Sequence, residues 1–326
     1  MKSKRILITG ISGFCGRILA GSLASAAGTV VLGLDAQRAG VTGKRVPYRV
    51  ERADITDRAA VDAVVKRFRP DEIYHLAALA VPQQSWDAPD RTFTVNTGGT
   101  IHLLDAVRKF CPQARMLFAS TAQVYGSSFR QTARVTEKTR VQPENPYGAS
   151  KAAAELACMD FFARFQVRVV VSRAFNHFGA SQSGPFVFSQ WCRQVAQAEA
   201  GEGPAEIRVG NFGVEREFLH VDDVVSAYRL LLERGAAGGV YNVCYGRAYP
   251  LKTYLDYLVS KSSRRLRVIR DPKLVRGHEI RRMAGSPTLL KRLGWKPRKD
   301  VFLAIDELLS DWRERCACVQ KKERLP

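Results

Sequence analysis

The sequence lacks the long apolar run that a membrane-spanning helix requires. No stretch of its 326 residues approaches the roughly 20 consecutive apolar residues needed to cross a bilayer. The chain begins MKSKRILITG, whose apolar segment of about four residues is too short for the core of a signal peptide. We therefore expect a cytoplasmic protein without a membrane partner, and we interpret this segment as a first β-strand.

Cysteine is sparse, and its placement argues against two common uses. The seven cysteines are scattered, odd in number and mostly set in apolar contexts, which does not suggest a disulfide framework. Cys316 and Cys318 lack the second ligand pair that a zinc site requires at a fixed spacing. We expect reduced thiols and no metal site.

Acidic residues are few relative to basic ones. The chain has 31 Asp+Glu against 51 Lys+Arg, and residues 261–326 alone hold 19 Lys+Arg against 8 Asp+Glu. A nucleic-acid partner is one interpretation of this charge. The sequence has no recognisable DNA- or RNA-binding motif, however, and its arginines are not interleaved with aromatic residues that could stack on bases. We favour a site for an anionic small molecule within a basic surface.

Short apolar runs alternate with helical patterns through the first half of the chain. Runs such as RILITG, TVVLGLD and ARMLFAS are apolar throughout, which is typical of a parallel sheet covered on both faces. We predict an α/β fold, a Rossmann-type doubly wound parallel sheet with a smaller C-terminal substrate-binding domain. The predicted helices cover residues 13–27, 59–68, 92–110 and 146–165. The predicted domains are 1–173 with a returning segment at about 212–245, and 174–211 with 246–326.

The segment TGISGFCG follows the first strand and opens a helix, with Gly10, Gly13 and Gly16 at regular spacing. Glycines here let the backbone approach a pyrophosphate, and the helix N-terminus offers free N–H donors. The spacing differs from the common G-x-G-x-x-G, so the strand–turn–helix setting carries much of the argument. We predict that this segment binds a dinucleotide.

Asp35 ends the second predicted strand, about 25 residues after Gly10. A carboxylate there can hydrogen-bond the adenosine ribose, which favours NAD over NADP, although a solvated turn aspartate is the alternative. Arg38 leaves room for a 2′-phosphate. Asp54 and Ile55, at the end of the third predicted strand, could meet the adenine edge. The cofactor prediction is therefore NAD(P)H, with the 2′ group open.

The segment NPYGASK places Tyr147 and Lys151 one turn apart on the start of a helix. A phenol with a pKa of about 10 is a poor acid–base group, but a neighbouring ammonium lowers that pKa by stabilising the phenolate. Thr121 supplies a hydroxyl about 26 positions upstream. A surface contact is the alternative for the Tyr–Lys pair alone, and the nucleotide loop makes the catalytic interpretation more specific.

Taken together, TGISGFCG, YHLAALA, VNTGGT, STAQVYG, NPYGASK and REFLHVDDV resemble the extended short-chain dehydrogenases/reductases that modify nucleotide sugars. Four further segments, RAFNHFG, IRVGNFGVEREFLHVDDVVSAY, GGVYNVCYGRA and RLGWKP, most resemble the GDP-4-keto-6-deoxy-mannose reductases. The GDP-mannose 4,6-dehydratases share part of this pattern. The resemblance implies a homodimer formed through the two long helices near residues 92–110 and 146–165.

The resemblance also implies residue roles. Thr121 would orient the sugar carbonyl, Tyr147 would donate the proton, and Lys151 would also hold the nicotinamide ribose. Cofactor contacts are implied for Gly10, Gly13, Phe14, Gly16, Asp35, Arg38, Asp54, Ile55, His75, Leu76, Ala77, Ala78, Asn96, Tyr147 and Lys151. Substrate contacts are implied for Gln123, Asn176, Val187, Arg216, Arg276 and Glu279. Gly277 and His278 depart from the family's commonest pattern, so Arg281 and Arg282 are alternatives to Arg276. His75 and His220 have structural alternatives, and Tyr125 is expected to be structural.

The last absence is a carboxyl group two positions after Thr121, where Gln123 stands. Related dehydratases use an acid there, and an amide cannot exchange a proton at neutral pH. We therefore predict NAD(P)H-dependent reduction of a GDP-4-keto-6-deoxyhexose, with GDP-D-rhamnose as the expected product. The alternatives are a nucleotide-sugar 4-epimerase with tightly bound NAD, a GDP-mannose 4,6-dehydratase, and a non-enzymatic dinucleotide-binding protein.

Overall fold

Strands and helices alternate through the first half of the chain, as the apolar runs predicted. The computed structural model describes residues 3–37, 47–275 and 279–323. Within these ranges the strands are β1 (Lys4–Thr9), β2 (Thr29–Asp35), β3 (Arg49–Arg52), β4 (Glu72–His75), β5 (Arg115–Thr121), β6 (Arg168–Ala174), β7 (Asn176–Phe178), β8 (Glu206–Val209), β9 (Glu215–Arg216), β10 (Phe218–His220), β11 (Val240–Val243), β12 (Tyr249–Pro250), β13 (Arg267–Arg270) and β14 (Arg282–Met283). The α-helices there are α1 (Phe14–Ala24), α2 (Arg58–Phe68), α3 (Pro89–Phe93), α4 (Gly99–Phe110), α5 (Pro146–Phe165), α6 (Val187–Ala200), α7 (Val221–Arg234), α8 (Leu251–Ser260), α9 (Thr288–Arg292) and α10 (Val301–Glu323).

Seven parallel strands form one sheet in the order β3-β2-β1-β4-β5-β6-β11. This is the Rossmann order extended by one strand. The central strands are buried in unbroken runs, as at Leu7 and Ile8 of β1, because helices cover both faces. The predicted fold class is confirmed.

The two faces of the sheet carry separate apolar clusters. On one face, α1 and α7 contribute Leu19 and Leu231, and on the other, α2, α4 and α5 contribute Val61, Leu104 and Ala154. Burying a Val or Leu side chain completely contributes about 1.5–3 kcal/mol. This packing holds the sheet in place. Because its strands are all parallel, their carboxyl ends meet along one edge, where ligands bind in such folds.

Smaller sheets occupy the C-terminal part of the described chain. They have the orders β12-β9-β14, β13-β8 and β10-β7. A third apolar cluster, which includes Phe188 and Tyr254, lies among α6, α8 and α10. The strand β11 joins the large sheet, whereas β9 and β10 pair only within the small ones. The predicted domain boundaries stay a prediction.

The helix predicted over residues 92–110 is divided. It consists of α3, a π-helical turn at Thr94–Gly98, and α4. Such turns insert one residue into a helix and are frequent at functional sites. The inserted turn carries Asn96, whose side chain is held by partners outside the helix. The first predicted helix also ends earlier than expected, at Ala24, and the third strand ends at Arg52.

Three further features bear on the sequence predictions. In the described part of the chain, no helix combines the length and apolar character needed to cross a bilayer. All seven cysteines are free thiols. Among the described residues, no group of three or more His, Cys, Asp or Glu side chains is placed to hold a metal ion.

Candidate active site

The glycine loop between β1 and α1 forms a tight cradle. Gly10 has φ +70°, and a Cβ atom placed on it would lie 2.6 Å from the backbone nitrogen of Ala77. A Cβ atom on Gly16 would lie 2.3 Å from the Gly10 carbonyl oxygen. No side chain caps α1 at Gly13, so the N–H groups of its first turn are available to an anion. The loop therefore fits the pyrophosphate of a dinucleotide.

Asp35 at the end of β2 is held against this loop. Its carboxylate accepts hydrogen bonds from the backbone N–H of Ser12 at 3.0 Å and of Gln37 at 3.2 Å. The acid thus lies beside the predicted pyrophosphate site, as a ribose-binding residue should. Arg38 lies outside the described residues. The choice between NADH and NADPH stays a prediction.

Asp54 and Ile55 follow β3 and differ in exposure. The Asp54 carboxylate accepts bonds from the backbone N–H and hydroxyl of Thr56, at 2.9 and 2.8 Å, and these bonds lower its pKa. Ile55 is buried, and a Cβ atom on Gly99 would lie 2.6 Å from its Cγ2. Asp54 is therefore open to solvent at the predicted adenine edge, while Ile55 packs inward.

The segment after β4, which contains Leu76, Ala77 and Ala78, is held by hydrogen bonds that lead through Asn96 to α5. Buried Asn96 accepts a bond from the Leu79 N–H at 2.8 Å and donates to the Ser150 hydroxyl at 2.9 Å. Asn96 therefore joins the loop that borders the glycine cradle to α5. Its predicted place beneath the cofactor stays a prediction.

Two histidines have structural roles. His75 is buried between the hydroxyls of Thr9 and Thr100, at 2.7 and 2.9 Å, and burial lowers its pKa to about 3. His220 accepts a bond from the Asp222 N–H at 3.0 Å and contacts the Glu307 carboxylate at 2.8 Å. His75 is thus a satisfied, neutral core residue, and His220 caps the start of α7.

The three predicted catalytic residues lie where β5 and α5 meet. Thr121 ends β5, and its hydroxyl accepts a bond from the Gln123 N–H at 3.2 Å. Asn145 caps α5 by accepting from the Gly148 N–H at 2.8 Å, and the Tyr147 N–H donates to Ser85 Oγ at 3.1 Å. These backbone contacts fix the first turn of α5, on which the phenol stands.

The pKa of the Tyr147 phenol differs from the expectation. Burial raises it to about 12, while a hydrogen bond with Thr121 acts in the opposite direction. Burial also lowers the pKa of the Lys151 ammonium to about 8, against the raising effects of Cys158 and Glu155. The lowered phenol pKa that we expected was therefore wrong, because desolvation outweighs the other influences. Tyr147 keeps its proton at neutral pH, which suits a proton donor.

A thiol–imidazole contact borders the cradle. Cys15 Sγ lies 3.1 Å from His177 Nε2, and His177 Nδ1 lies 2.9 Å from the Phe175 carbonyl. Although burial lowers the pKa of His177, Cys15 and the Phe175 carbonyl raise it to about 9. The Phe14 ring lies nearly parallel to the imidazole, with centroids 6.4 Å apart. Phe14 thereby links the first turn of α1 to β7.

Three of the predicted substrate residues lie at the start of α5, on β7 and at the start of α6. Half-buried Gln123 accepts a bond from Asn145 Nδ2 at 3.3 Å, which places it at the start of α5. Asn176 on β7 donates to the Glu217 carbonyl at 3.2 Å. Val187, the first residue of α6, packs on the third apolar cluster. Their roles toward substrate stay predictions.

The remaining predicted substrate residues lie around the small sheet that contains β9. Arg216 donates to the Glu215 carbonyl at 2.8 Å and approaches the Arg281 carbonyl at 3.5 Å. Glu279 is half-buried, and its buried Oε2 has no hydrogen-bond partner within the described ranges. Arg276 lies outside the described residues.

Several residues that build this site were not found from the sequence. Buried Ser85 anchors the Tyr147 backbone, and Glu217 joins two loops by accepting from the N–H groups of Gly246 and Gly285, each at 2.7 Å. Burial raises the pKa of Glu217 to about 7. Glu155 and Arg173 form a buried ion pair beneath β5. Their sequence signal was a charge within apolar or alanine-rich surroundings, AAAELA and VVVSRA.

Known proteins share this architecture along nearly the whole chain. A family model described as GDP-mannose 4,6 dehydratase matches residues 7–308. A GDP-6-deoxy-D-mannose reductase from Pseudomonas aeruginosa is 33% identical over 314 residues, which cover 96% of this chain and 98% of the relative.

Two solved structures extend the comparison. The structure of RMD from Pseudomonas aeruginosa complexed with NADPH has a TM-score of 0.84 and 32% identity, covering 96% of this chain and 100% of that one. A UDP-glucose 4-epimerase from Thermus thermophilus in complex with NAD has a TM-score of 0.83 and 28% identity, covering 95% and 99%. The chain belongs to the GDP-mannose 4,6-dehydratase family, a group of NAD(P)-dependent nucleotide-sugar enzymes.

Proposed function

We propose that this chain is a reductase that converts the 4-keto group of a GDP-4-keto-6-deoxyhexose to the alcohol at the expense of NAD(P)H. The expected product is a GDP-6-deoxyhexose, GDP-D-rhamnose in the first instance. The observation that carries the proposal is a buried phenol, Tyr147, that keeps its proton beside Thr121 while an amide, Gln123, stands at the position of the dehydratase acid. The 33% identity to a GDP-6-deoxy-D-mannose reductase supports the same reaction.

The glycine cradle fits a dinucleotide because any larger residue at Gly10 or Gly16 would fill it. Gly13, Asp35 and the segment after β4 complete the residues that would hold NAD(P)H, which supplies a hydride when bound. Thr121 donates a hydrogen bond to the sugar carbonyl and holds it in place. Tyr147 gives its proton to the oxygen of that carbonyl, and the Lys151 ammonium stabilises the phenolate that remains.

The GDP moiety is assigned to the region of β7, β9 and Glu279. Asn176 lies on β7, two residues after the carboxyl end of β6, and Arg216 lies on β9, where an arginine fork suits a diphosphate. The unpartnered Oε2 of Glu279 has acceptor capacity for a ribose hydroxyl. Arg276 keeps its predicted contact with pyrophosphate, with Arg281 and Arg282 as alternatives.

A 4-epimerase is the second candidate, since it uses the same threonine, tyrosine and lysine. The similarity to the Thermus thermophilus UDP-glucose 4-epimerase supports this second candidate. An epimerase returns the hydride to the sugar, so it consumes no reduced cofactor. A dehydratase is disfavoured because Gln123 cannot remove the C-5 proton.

The experiment that tests the proposal offers two substrates to purified chain. GDP-4-keto-6-deoxymannose with NADPH or NADH is expected to give a GDP-6-deoxyhexose, identified by chromatography and mass spectrometry. GDP-mannose with NAD or NADP is expected to remain unchanged. Loss of water from GDP-mannose would assign the chain to the dehydratases instead.

We further propose a homodimer built from α4 and α5 and a cytoplasmic location. Helix α5 carries exposed Leu156, with 72% of its surface accessible, and Phe165, with 46%, and α4 carries exposed Ile101, with 38%. Exposed apolar residues that cluster on neighbouring helices favour a protein contact. The free thiols support a reducing compartment.

A further inference from the structure

Glu155 and Arg173 form an ion pair inside the protein. Glu155 lies on α5 one turn after Lys151, and Arg173 lies on β6; they are 5% and 6% exposed. Arg173 Nη2 donates to Glu155 Oε2 at 2.7 Å, and its Nε lies 3.1 Å from both carboxylate oxygens. Desolvating two charges is costly, so such a pair is weak evidence for a purely stabilising role.

The pair contacts the strand that carries Thr121. The Ser120 hydroxyl donates to Glu155 Oε1, and Ser120 immediately precedes Thr121. On the other side, Arg173 Nη1 donates to the Tyr125 hydroxyl at 3.1 Å, which in turn donates to Asn242 Oδ1 at 2.7 Å. One buried network therefore joins α5 to β5, β6 and β11, directly behind the catalytic residues.

The same carboxylate lies one turn after Lys151 on α5, and both side chains are buried. Lys151 is 2% exposed, and its Nζ lies 4.2 Å from the centroid of the Phe118 ring. Glu155 and Cys158 on α5 and His75 on β4 interact with it electrostatically, and Tyr147 stands one turn before it on α5. Burial keeps the tyrosine, the thiol and the imidazole neutral near pH 7, because it raises the first two pKa values and lowers the third. Glu155 is the group among these four that forms an ion pair, with the Arg173 guanidinium at 2.7 Å.

We propose that Glu155 and Arg173 are positioning residues for the reduction: Glu155 places a carboxylate one turn from Lys151 and fixes Ser120 beside Thr121, while Arg173 partly balances that carboxylate. This inference rests on the proposed function, since it takes Tyr147 and Lys151 as the acid–base pair. Glu155 and Arg173 are buried, so we expect their effect to reach the reaction through Lys151 and the end of β5.

Charge balance predicts opposite effects from the two partners. Without the carboxylate, Arg173 is left as an unbalanced cation and the pKa of Lys151 falls below its value of about 8. Without the guanidinium, the carboxylate acts on Lys151 unopposed and that pKa rises. The ammonium is present below its pKa, so activity that requires it is lost as pH rises through that pKa. The alkaline limb of the pH profile should therefore move to lower pH when the carboxylate is removed and to higher pH when the guanidinium is removed.

The test measures kcat/KM for the keto-sugar against pH at saturating NADPH. Glu155→Gln is expected to move the alkaline limb down by about one pH unit, and Arg173→Met to move it up by a similar amount. Arg173→Lys, which keeps the charge, should leave the limb near that of the wild type. The double variant should fall between the single ones.

The matched control is Asp105→Asn. Asp105 of α4 is also a buried carboxylate, and it forms ion pairs with Arg58 of α2 and with Arg108 and Lys109 of its own helix. No contact joins it to Lys151 in the described structure. It should lose stability without moving the limb. If Glu155→Gln fails to fold, the comparison of Arg173→Met with Arg173→Lys carries the same test.

An NMR titration of isotope-labelled lysines, with the Lys151 signal identified by its loss in Lys151→Met, reads the same shifts without turnover. If the wild type reduces no keto-sugar, the proposed function fails while this titration still tests the inference. The inference is overturned if the alkaline limbs of Glu155→Gln and Arg173→Met both coincide with that of the wild type, or if both move in the same direction. The ion pair would then have a structural role alone.

Discussion

At the scale of the residue, the proposed chemistry depends on a phenol that carries its proton before the reaction. Tyr147 is enclosed by α5, Ser85 and the end of β5, and this desolvation raises its pKa to about 12. At neutral pH the phenol therefore carries the proton that reduction of a carbonyl requires. In the proposed reduction Tyr147 starts with this proton and gives it to the oxygen that gains negative charge.

The first prediction concerns that hydroxyl. Tyr147→Phe removes the proton donor and should lower kcat for keto-sugar reduction by roughly 10²–10⁴-fold. The affinity for NADPH, followed by nicotinamide fluorescence, should change little because the glycine loop is untouched. Tyr74→Phe is the control, since Tyr74 is a buried phenol of β4 that packs in the core. Equal activity of Tyr147→Phe and the wild type would remove Tyr147 from the mechanism.

The predicted catalytic residues have a chemical signature in the sequence, whereas the residues that fix their backbone do not. The Tyr147–Lys151 spacing and Thr121 were visible because their chemistry depends on residue type. Ser85 was not, since nothing in the chain indicates that its hydroxyl meets a backbone N–H 62 positions away. The direction of the Tyr147 pKa was also missed, because it depends on how much of the surroundings excludes water.

At the scale of the element, the cradle is set by how closely β1, α1 and the segment after β4 approach. Gly10 adopts φ +70°, and Gly16 packs against the Gly10 carbonyl. Glycine is required at these positions because a Cβ atom would separate the segments. The cradle is thus a consequence of packing as much as of loop flexibility.

The second prediction tests this packing within one helix. Gly16→Ala should weaken NADPH binding at least about tenfold, equivalent to about 1.4 kcal/mol, because its Cβ would force the loop open. Gly21→Ala is the matched control on α1, since a Cβ atom there meets nothing within 4 Å. It should leave binding unchanged and stabilise the helix by roughly 0.5–1 kcal/mol. Fluorescence titration and thermal denaturation of both variants provide the measurements, and equal NADPH affinities would contradict the account of the cradle.

Helix boundaries were predictable where local signals define them. The helix α5 runs over Pro146–Phe165 as predicted, because Asn145 and Pro146 form a standard start. The π-helical turn at Thr94–Gly98 was not predictable, since Asn96 is held by Leu79 and Ser150, which are remote in sequence. Tertiary partners, rather than helix propensity, decide the geometry there.

At the scale of the whole molecule, apolar periodicity was enough to predict the fold class. The order of the seven strands follows from right-handed βαβ crossovers, which leave few arrangements for such a pattern. The pairing of β9 with β12 and β14, and of β10 with β7, was not predictable in this way, because two- and three-residue strands carry no periodic signal.

The exposed apolar surface of α4 and α5 gives the third prediction. The wild type should sediment as a dimer, and Leu156→Arg should shift it toward monomer because a charge would have to be buried in the contact. Leu274→Arg is the control, since Leu274 is also exposed, at 51%, but lies far along the chain from both helices. Analytical ultracentrifugation distinguishes the forms. A monomeric wild type, or an unchanged mass in Leu156→Arg, would contradict the proposed interface.

The most direct test of the central claim is the stoichiometry of cofactor oxidation. Purified chain receives a limiting amount of GDP-4-keto-6-deoxymannose and an excess of NADPH or NADH, and the loss of reduced-nicotinamide absorbance is compared with the GDP-6-deoxyhexose formed. We expect one molecule of reduced cofactor to be oxidised for each sugar converted, and we expect no reaction in Tyr147→Phe on the same timescale. Conversion of a nucleotide sugar without loss of reduced cofactor, or no conversion of this keto-sugar with either cofactor, would contradict it.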